Sequence, residues 1–394
     1  MAVSQRTMKL YQSLAHVIGF LTSPDATVNN TAPDAADFLF GNPHEMPLER
    51  FTQALQQWSA PQNKDWFAYK LSEAPARAVV GNSLRVRYGL PFRDEDINLT
   101  NGGFAALAVA LNAVVDPGDE VIFISPPWFF YEALILSVGA DAVRVKVNMQ
   151  TFDLDVDAIA AAITPRTRAI IVNSPNNPTG RIYPEATLRQ LAQALTDASN
   201  RYGRPIYLIS DEAYSRIVYD GRSFMTPTAY YPHSFLAYTY GKTLLTPGQR
   251  LGYLALAPDM PDREMVGNAI MLAQITLGYA FPNALLQHAM PDLERLSIDI
   301  EHLQEKRDRV VGALRDTGYD VHMPEGTFYL LPKSPIPDDG QFIRLLAEQK
   351  IYCLPGWIVE MPGYFRVSLT ANDAMIDRAL PGFAAARRQA AAFA

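Results

Sequence analysis

The chain has 394 residues, enough for two or three domains at roughly 100–200 residues each. With 48% hydrophobic and 19% charged residues it is too apolar for a disordered chain. Its net charge of −7, without any Lys/Arg run, argues against a nucleic-acid partner.

The first predicted element is an amphipathic helix. Leu10, Leu14, Val17, Ile18 and Leu21 share one face, with Gln12, Ser13 and His16 between them. This spacing is unlike a signal peptide, and no apolar run reaches the roughly 18–20 residues of a membrane helix. A polar loop follows to about residue 45. Its triplet Asn29-Asn30-Thr31 matches a glycosylation sequon, a match that chance produces readily.

From about residue 50 to 280, helical and strand patterns alternate. Val121-Ile122-Phe123-Ile124-Ser125 is a short apolar run, and Ala142 to Val147 alternates as a half-buried strand. Ala169 to Asn173 and Ile206 to Ser210 are continuous apolar runs ending in polar residues, with a helical stretch, Glu185 to Asn200, between them. Phe235 to Tyr238 and Gly252 to Leu256 complete the series. The alternation predicts an α/β fold with a large domain, its mainly parallel sheet covered by helices on both faces and ligands binding beyond the carboxyl ends of the strands. After about residue 290 the texture changes. A long amphipathic helix is predicted over Asp292–Thr317, short strands around Thr327–Leu331 and Phe365–Ser368, and a closing helix over Asp373–Ala391. This predicts a smaller α+β domain built from both chain ends: residues 1–47 join it, 48–288 form the large domain and 289–394 the small one. Cys353, the one cysteine, excludes an intrachain disulfide and fits a reducing cytosol. No metal is expected, because a multi-cysteine zinc site is excluded and the six histidines show no ligand spacing.

Four segments carry polar chemistry after a strand. Thr100-Asn101-Gly102-Gly103-Phe104 opens the helical run Ala105–Val114. Two glycines there let backbone N–H groups and the positive helix end meet an anion, usually a phosphate, although a Gly-Gly pair is equally a tight turn. Asn173-Ser174-Pro175-Asn176-Asn177-Pro178-Thr179-Gly180 is a rigid loop with amides held ready to donate. Asp211, in Asp211-Glu212-Ala213-Tyr214, follows a buried strand; it either caps a helix or needs a cation, since an unpaired carboxylate is costly to bury. Lys242 and Arg250 lie between two buried strands, in the segment Thr239–Gly252. A desolvated lysine near another cation has a lowered pKa and can form a Schiff base.

In this order and spacing the four segments, with the late Phe365-Arg366-Val367-Ser368, resemble the fold-type I pyridoxal-phosphate enzymes, specifically the class I/II aminotransferases. The resemblance runs from Gly41-Asn42-Pro43 to Arg366. It implies a homodimeric enzyme with shared active sites, pyridoxal 5'-phosphate as cofactor, and an amino acid and a 2-oxo acid as substrates; the cytoplasmic location expected rests on the single cysteine. It implies that Lys242 is the Schiff-base lysine that also moves the proton, and that Asp211 keeps the cofactor's pyridine nitrogen protonated, making the ring an electron sink. Tyr214 and Asn177 would bond the cofactor's 3'-oxygen. The backbone of Gly102, Gly103 and Phe104, with Thr239 and Arg250, would hold its phosphate. Trp128 would stack on the ring, its alternative being plain core packing. Arg366 would grip the substrate α-carboxylate in a two-pronged pair, assisted by the backbone of Gly41. Tyr69 would reach the phosphate of the neighbouring subunit. Pro126 and Pro178 fall where the family often has cis peptides.

Gly241 departs from the family, which usually places a hydroxyl residue just before the lysine; either one phosphate contact is missing or the loop runs closer to the ring. Between Met265 and Met290 there is no Arg or Lys, and the segment Leu277–Asn283 is apolar and aromatic. The dicarboxylate enzymes of the family often use a second arginine in that stretch, so an apolar or aromatic substrate side chain is expected. His44 or Arg50 could still serve an acidic substrate, and Glu45 a cationic one. A pyridoxal-phosphate enzyme performing oxidation, elimination or cyclisation shares every motif used here. A regulator on this fold would need a DNA-binding domain, for which the roughly 45 residues before the core are too few. A nicotinamide dehydrogenase lacks its glycine fingerprint here.

Overall fold

The computed structural model describes residues 2–23, 32 and 34–393, so the triplet Asn29-Asn30-Thr31 lies outside the described residues. Twelve strands are formed by the described residues: β1 (Ala36–Asp37), β2 (Ile97–Thr100), β3 (Glu120–Ser125), β4 (Asp141–Lys146), β5 (Thr167–Asn173), β6 (Tyr207–Asp211), β7 (Ser234–Thr239), β8 (Gly252–Leu256), β9 (Tyr329–Leu330), β10 (Ile351–Tyr352), β11 (Leu354–Pro355) and β12 (Phe365–Ser368). Seven make the central sheet in the order β2-β8-β7-β6-β5-β3-β4. Only β8 runs against the rest, pairing antiparallel with both β2 and β7.

The strands are apolar on both faces because both faces are covered. Along β5, Ala169 and Ile171 pack with the Gly103–Val114 helix and with Ile270 of the Arg263–Thr276 helix. Ile170 and Val172 face the other way, against Leu188, Leu191 and Leu195 of the Glu185–Tyr202 helix. A period of two along one strand thus serves two helical layers. The Glu185–Tyr202 helix runs slightly past its expected end and stops at Gly203, whose φ of 66° lies in the left-handed region that favours glycine.

The second unit is built from both chain ends. β1 pairs parallel with β10, while β11, β12 and β9 form a small antiparallel sheet. Ala36 and Phe38 share a core with Phe328, Phe342, Phe365 and Phe383. One expected element differs. The helix predicted over Asp292–Thr317 is two: a short turn, Met290–Leu293, and a helix, Ile300–Asp316. Asp299 starts the second by accepting the His302 N–H at 3.0 Å, a side-chain cap that competes with continued helix. Among the described residues no helix is long and apolar enough to cross a membrane.

Candidate active site

β5, β6 and β7 end side by side. In register, Asn173 lies beside Asp211, and Asp211 beside Ala237, two residues before Thr239. Beyond these ends opens a cavity of about 360 Å³ whose walls include Gly41, Gly103, Phe104, Trp128, Asn177, Asp211, Tyr214, Thr239, Lys242, Arg250 and Arg366. Residues from eight separate stretches of the chain therefore converge on one space. Tyr69 does not join them; it is 86% exposed and stands against Phe281, at 4.7 Å between ring centroids.

Asp211 is buried on the floor. Its Oδ2 accepts from the Tyr131 hydroxyl at 2.5 Å and its Oδ1 from the Ala213 N–H at 3.2 Å. Burial pushes its pKa up, and these donors together with the charge of Lys242 only moderate the rise. It is a carboxylate prepared for a cation. Asn173 fixes the adjacent loop, donating from Nδ2 to the Asp211 carbonyl at 2.9 Å and accepting the Asn177 N–H at 2.7 Å.

Lys242 stands on a single helical turn, Tyr240–Thr243, at the end of β7. Its Nζ lies 5.7 Å from the ring centroids of both Tyr214 and Phe328. Thr239 caps this turn by accepting the Gly241 N–H at 3.4 Å. A Cβ on Gly241 would sit 2.9 Å from Pro247 Cα, so the returning loop occupies the space a hydroxyl residue needs.

The start of the Gly103–Val114 helix forms another part of the wall. Gly102, at φ 84°, precedes the Gly103–Val114 helix without any side-chain cap, leaving the first N–H groups of that helix without helical partners. A Cβ on Gly102 would lie 2.5 Å from Arg250 Nη2, and one on Gly252 would lie 2.4 Å from the Tyr238 carbonyl. Gly102 therefore leaves room for the Arg250 guanidinium, and Gly252 leaves room for the Tyr238 carbonyl and the Gly102 backbone. The Ser125–Pro126 and Asn177–Pro178 bonds are cis, as expected, and so is Ser174–Pro175.

Arg366 also lines the cavity and is only 2% exposed. It donates from Nη1 to Asn177 Oδ1 at 3.2 Å and from Nη2 to the Leu39 carbonyl at 2.8 Å, and its guanidinium lies 4.0 Å from the Tyr329 ring centroid. Its Nε is buried without a partner. All its contacts are neutral, so the charge is solvated but not balanced.

Trp128 is half-buried and meets Phe104 edge-on, with centroids 4.9 Å apart, beside Phe130 at 5.2 Å. His44, Arg50 and Glu45 do not line this cavity. His44 faces Asp37 at 3.9 Å, Glu45 is paired with Lys306, and Arg50 is exposed on the Glu49–Trp58 helix.

Sequence reasoning did not single out Tyr131, Asn173 or Tyr329. Tyr131 lies one residue beyond the aromatic motif, and Asn173 opens the loop already noted. Tyr329 was read as a strand residue and gives no polar signal of its own.

The family model for aminotransferase class I and II matches residues 35–383. The chain belongs to the class I and II aminotransferases. The aspartate/prephenate aminotransferase of Thermus thermophilus is 30% identical over 333 residues, covering 82% of this chain and 83% of that protein. The aspartate aminotransferase of Thermotoga maritima is 29% identical, covering 85% and 86%. Among solved structures, an aminotransferase from Eubacterium rectale superposes with a TM-score of 0.89 at 28% identity, over 99% of both chains. The Thermus thermophilus aspartate aminotransferase with maleate gives 0.82 at 25% identity, over 98% and 99%. This aminotransferase shares their mostly parallel α/β architecture along its whole described length.

Proposed function

We propose that this aminotransferase uses pyridoxal 5'-phosphate, held at Lys242, to move an amino group between an L-amino acid with an apolar or aromatic side chain and a 2-oxo acid. The observation that supports this is the placement of Lys242 in one cavity with a buried carboxyl, Asp211, and a buried guanidinium, Arg366, neither of which forms an ion pair among the described residues. The residues fit the cofactor: Asp211 suits a pyridinium, and the N–H groups at Gly103 with Thr239 and Arg250 suit a phosphate. When bound, the cofactor supplies an aldehyde for the lysine amine and a ring that accepts the electron pair left at Cα. Lys242 then holds and returns the proton at Cα. Tyr214 and Asn177 orient the ring oxygen, Trp128 covers a ring face, and Arg366 with the Gly41 N–H fixes the α-carboxylate.

The side-chain preference rests on the walls. Phe104, Leu107, Trp128 and Phe129 are apolar, and the three lining cations, Lys242, Arg250 and Arg366, already have roles. The relatives named above act on aspartate or prephenate, so these are the competing substrates. The domain division at 47/48 and 288/289, the homodimer and the cytosolic location belong to the same proposal. The dimer is supported by exposed Phe67, Tyr69, Leu71, Leu272, Ile275 and Phe281, which leave Tyr69 free to reach a second chain. The location is supported by one buried free thiol, Cys353.

A half-reaction tests the reading. Phenylalanine or leucine should bleach the visible band of the holoenzyme and yield one 2-oxo acid per chain, and 2-oxo acid should restore the band. Faster bleaching by aspartate would overturn the preference. Ammonia or peroxide released without an amino acceptor would overturn transamination itself.

A further inference from the structure

The helical turn that carries Lys242, Tyr240–Thr243, is only four residues long. One turn fixes several dihedrals for very few hydrogen bonds, so it is not self-supporting and its position must come from outside. The residues flanking Lys242 supply that hold, from outside the cavity. Tyr240 and Thr243 are both buried. The Tyr240 hydroxyl donates to Glu294 Oε2. The Thr243 hydroxyl meets that of Tyr238 at 2.7 Å, and the Thr243 carbonyl accepts the Ile298 N–H at 2.8 Å. Glu294 and Ile298 both belong to the interruption between the Met290–Leu293 turn and the Ile300–Asp316 helix. Glu294 is fixed in turn by Arg216, whose Nη2 donates to Oε1 at 2.5 Å; their side chains are 12% (Arg216) and 7% (Glu294) exposed. The same guanidinium lies over the rings of Tyr238 and Tyr240, 4.6 and 5.3 Å from their centroids. Both carboxylate oxygens are thus occupied, one by a cation and one by a phenol.

We propose that Tyr240 is a positioning residue for Lys242, anchored by Glu294, and that this contact aims the lysine amine during proton transfer. This rests on the reading of Lys242 just given. When the Cα–H bond breaks and an N–H bond forms at Nζ, the amine must be free, and only its own side chain and the turn beneath it then set its aim. A misplacement of about 1 Å can cost about a hundredfold in rate. A carboxylate holds a phenol O–H more firmly than a neutral acceptor does. The buried Arg216–Glu294 pair is a weak source of stability, because desolvation offsets its attraction. What it supplies is a fixed acceptor for Tyr240, from a segment 54 residues away in sequence. The helix interruption after Met290–Leu293 thereby gains a use: its residues brace the turn that bears the lysine.

The test is Tyr240→Phe, which removes the hydroxyl and keeps the ring beneath Arg216. Two readings decide it. In the cofactor-free chain, amide hydrogen exchange at Leu244 and Leu245, whose N–H groups close the turn on the Tyr240 and Lys242 carbonyls, should quicken by at least about tenfold while the β7 amides stay unchanged. In the holoenzyme the visible band should keep its height per chain, and kcat should fall about tenfold at a KM within about twofold of the parent's. Deuterium at Cα should slow the variant by a larger factor than it slows the parent. Glu294→Gln, which leaves a neutral oxygen for the hydroxyl, should move both readings in the same direction by less. Parent-like exchange at the turn of Tyr240→Phe overturns the anchor. Faster exchange with the parent's kcat and isotope effect overturns its role in aiming Lys242. If Tyr240→Phe does not fold, Glu294→Gln decides on the same two readings. A parent without a visible band fails the reading of Lys242 instead, and the exchange result stands apart from it.

Discussion

Asp211 and Arg366 both line the cavity, and among the described residues neither forms an ion pair. They are held in different ways. Asp211 ends a central strand of the sheet, with neighbours fixed by register on both sides. Arg366 sits on a four-residue strand of the small sheet and is steadied by the Leu39 carbonyl, 327 residues away in sequence, and by Asn177, 189 away. The wall proposed to hold the cofactor is built on adjacent strand ends, whereas the wall proposed to hold the substrate is assembled from segments distant in sequence. A ligand held for many turnovers suits the first, and one exchanged at every turnover suits the second.

The largest effect is expected at the group both walls share. Lys242→Ala should lower turnover by about four orders of magnitude. It should abolish the visible band of the holoenzyme while the far-ultraviolet spectrum is kept. A variant that keeps the band would remove Lys242 from its role.

The walls themselves should then separate by ligand. Asp211→Asn should weaken cofactor binding by about 2–3 kcal/mol, and it should stabilise the cofactor-free chain by about 1 kcal/mol, because a desolvated carboxyl is gone. Arg366→Lys should leave cofactor affinity intact and weaken substrate binding by about 2 kcal/mol, since an ammonium cannot make the planar two-pronged contact. Cofactor titration and KM for amino acid distinguish the two. If both variants lose the same ligand, the division into two walls is wrong.

The two regions also differed in how far the sequence revealed them. Asp211, Lys242 and Asn177 follow apolar runs in short motifs, where a polar residue after a buried strand is conspicuous. Gly252 is forced by close backbone approach and Gly102 by its positive φ, conformations that a glycine already advertises. Tyr131 and Tyr329 were not legible. A tyrosine among apolar residues reads as core, and only the fold reveals that one hydroxyl meets Asp211 and the other ring lies under Arg366. The Leu39 carbonyl is a backbone group and leaves no trace in sequence. The break in the helix after Met290 was masked because the segment keeps its amphipathic period while Asp299 caps within it.

Gly241 tests the rigidity of the first wall. With Pro247 Cα only 2.9 Å from the added atom, Gly241→Ser must displace backbone rather than a flexible tip. A loss of about 1–3 kcal/mol in stability is expected, with weakened phosphate affinity as the loop bearing Arg250 shifts. Unchanged stability in denaturant would mean that the loop yields freely.

The smallest effect separates two neighbouring carboxyls. Asp211 faces the cavity, and Glu212 faces the core, where the hydroxyls of Thr226, Tyr88 and Ser210 donate to it. Burial pushes Glu212 up to about 7 despite those donors. An unfolded glutamate titrates near about 4.3, so between these values the native state binds the extra proton and stability falls as pH rises, by at most about 4 kcal/mol. Asp211 is also raised by burial and adds a slope of the same sign. A cation bound at Asp211 cancels that group's share and leaves Glu212 untouched. Unfolding midpoints measured from pH 5 to 8 should therefore show a slope that is partly flattened by cofactor in the parent. In Glu212→Gln the cofactor-dependent part alone should survive; a variant retaining the full slope would place the buried proton on another group.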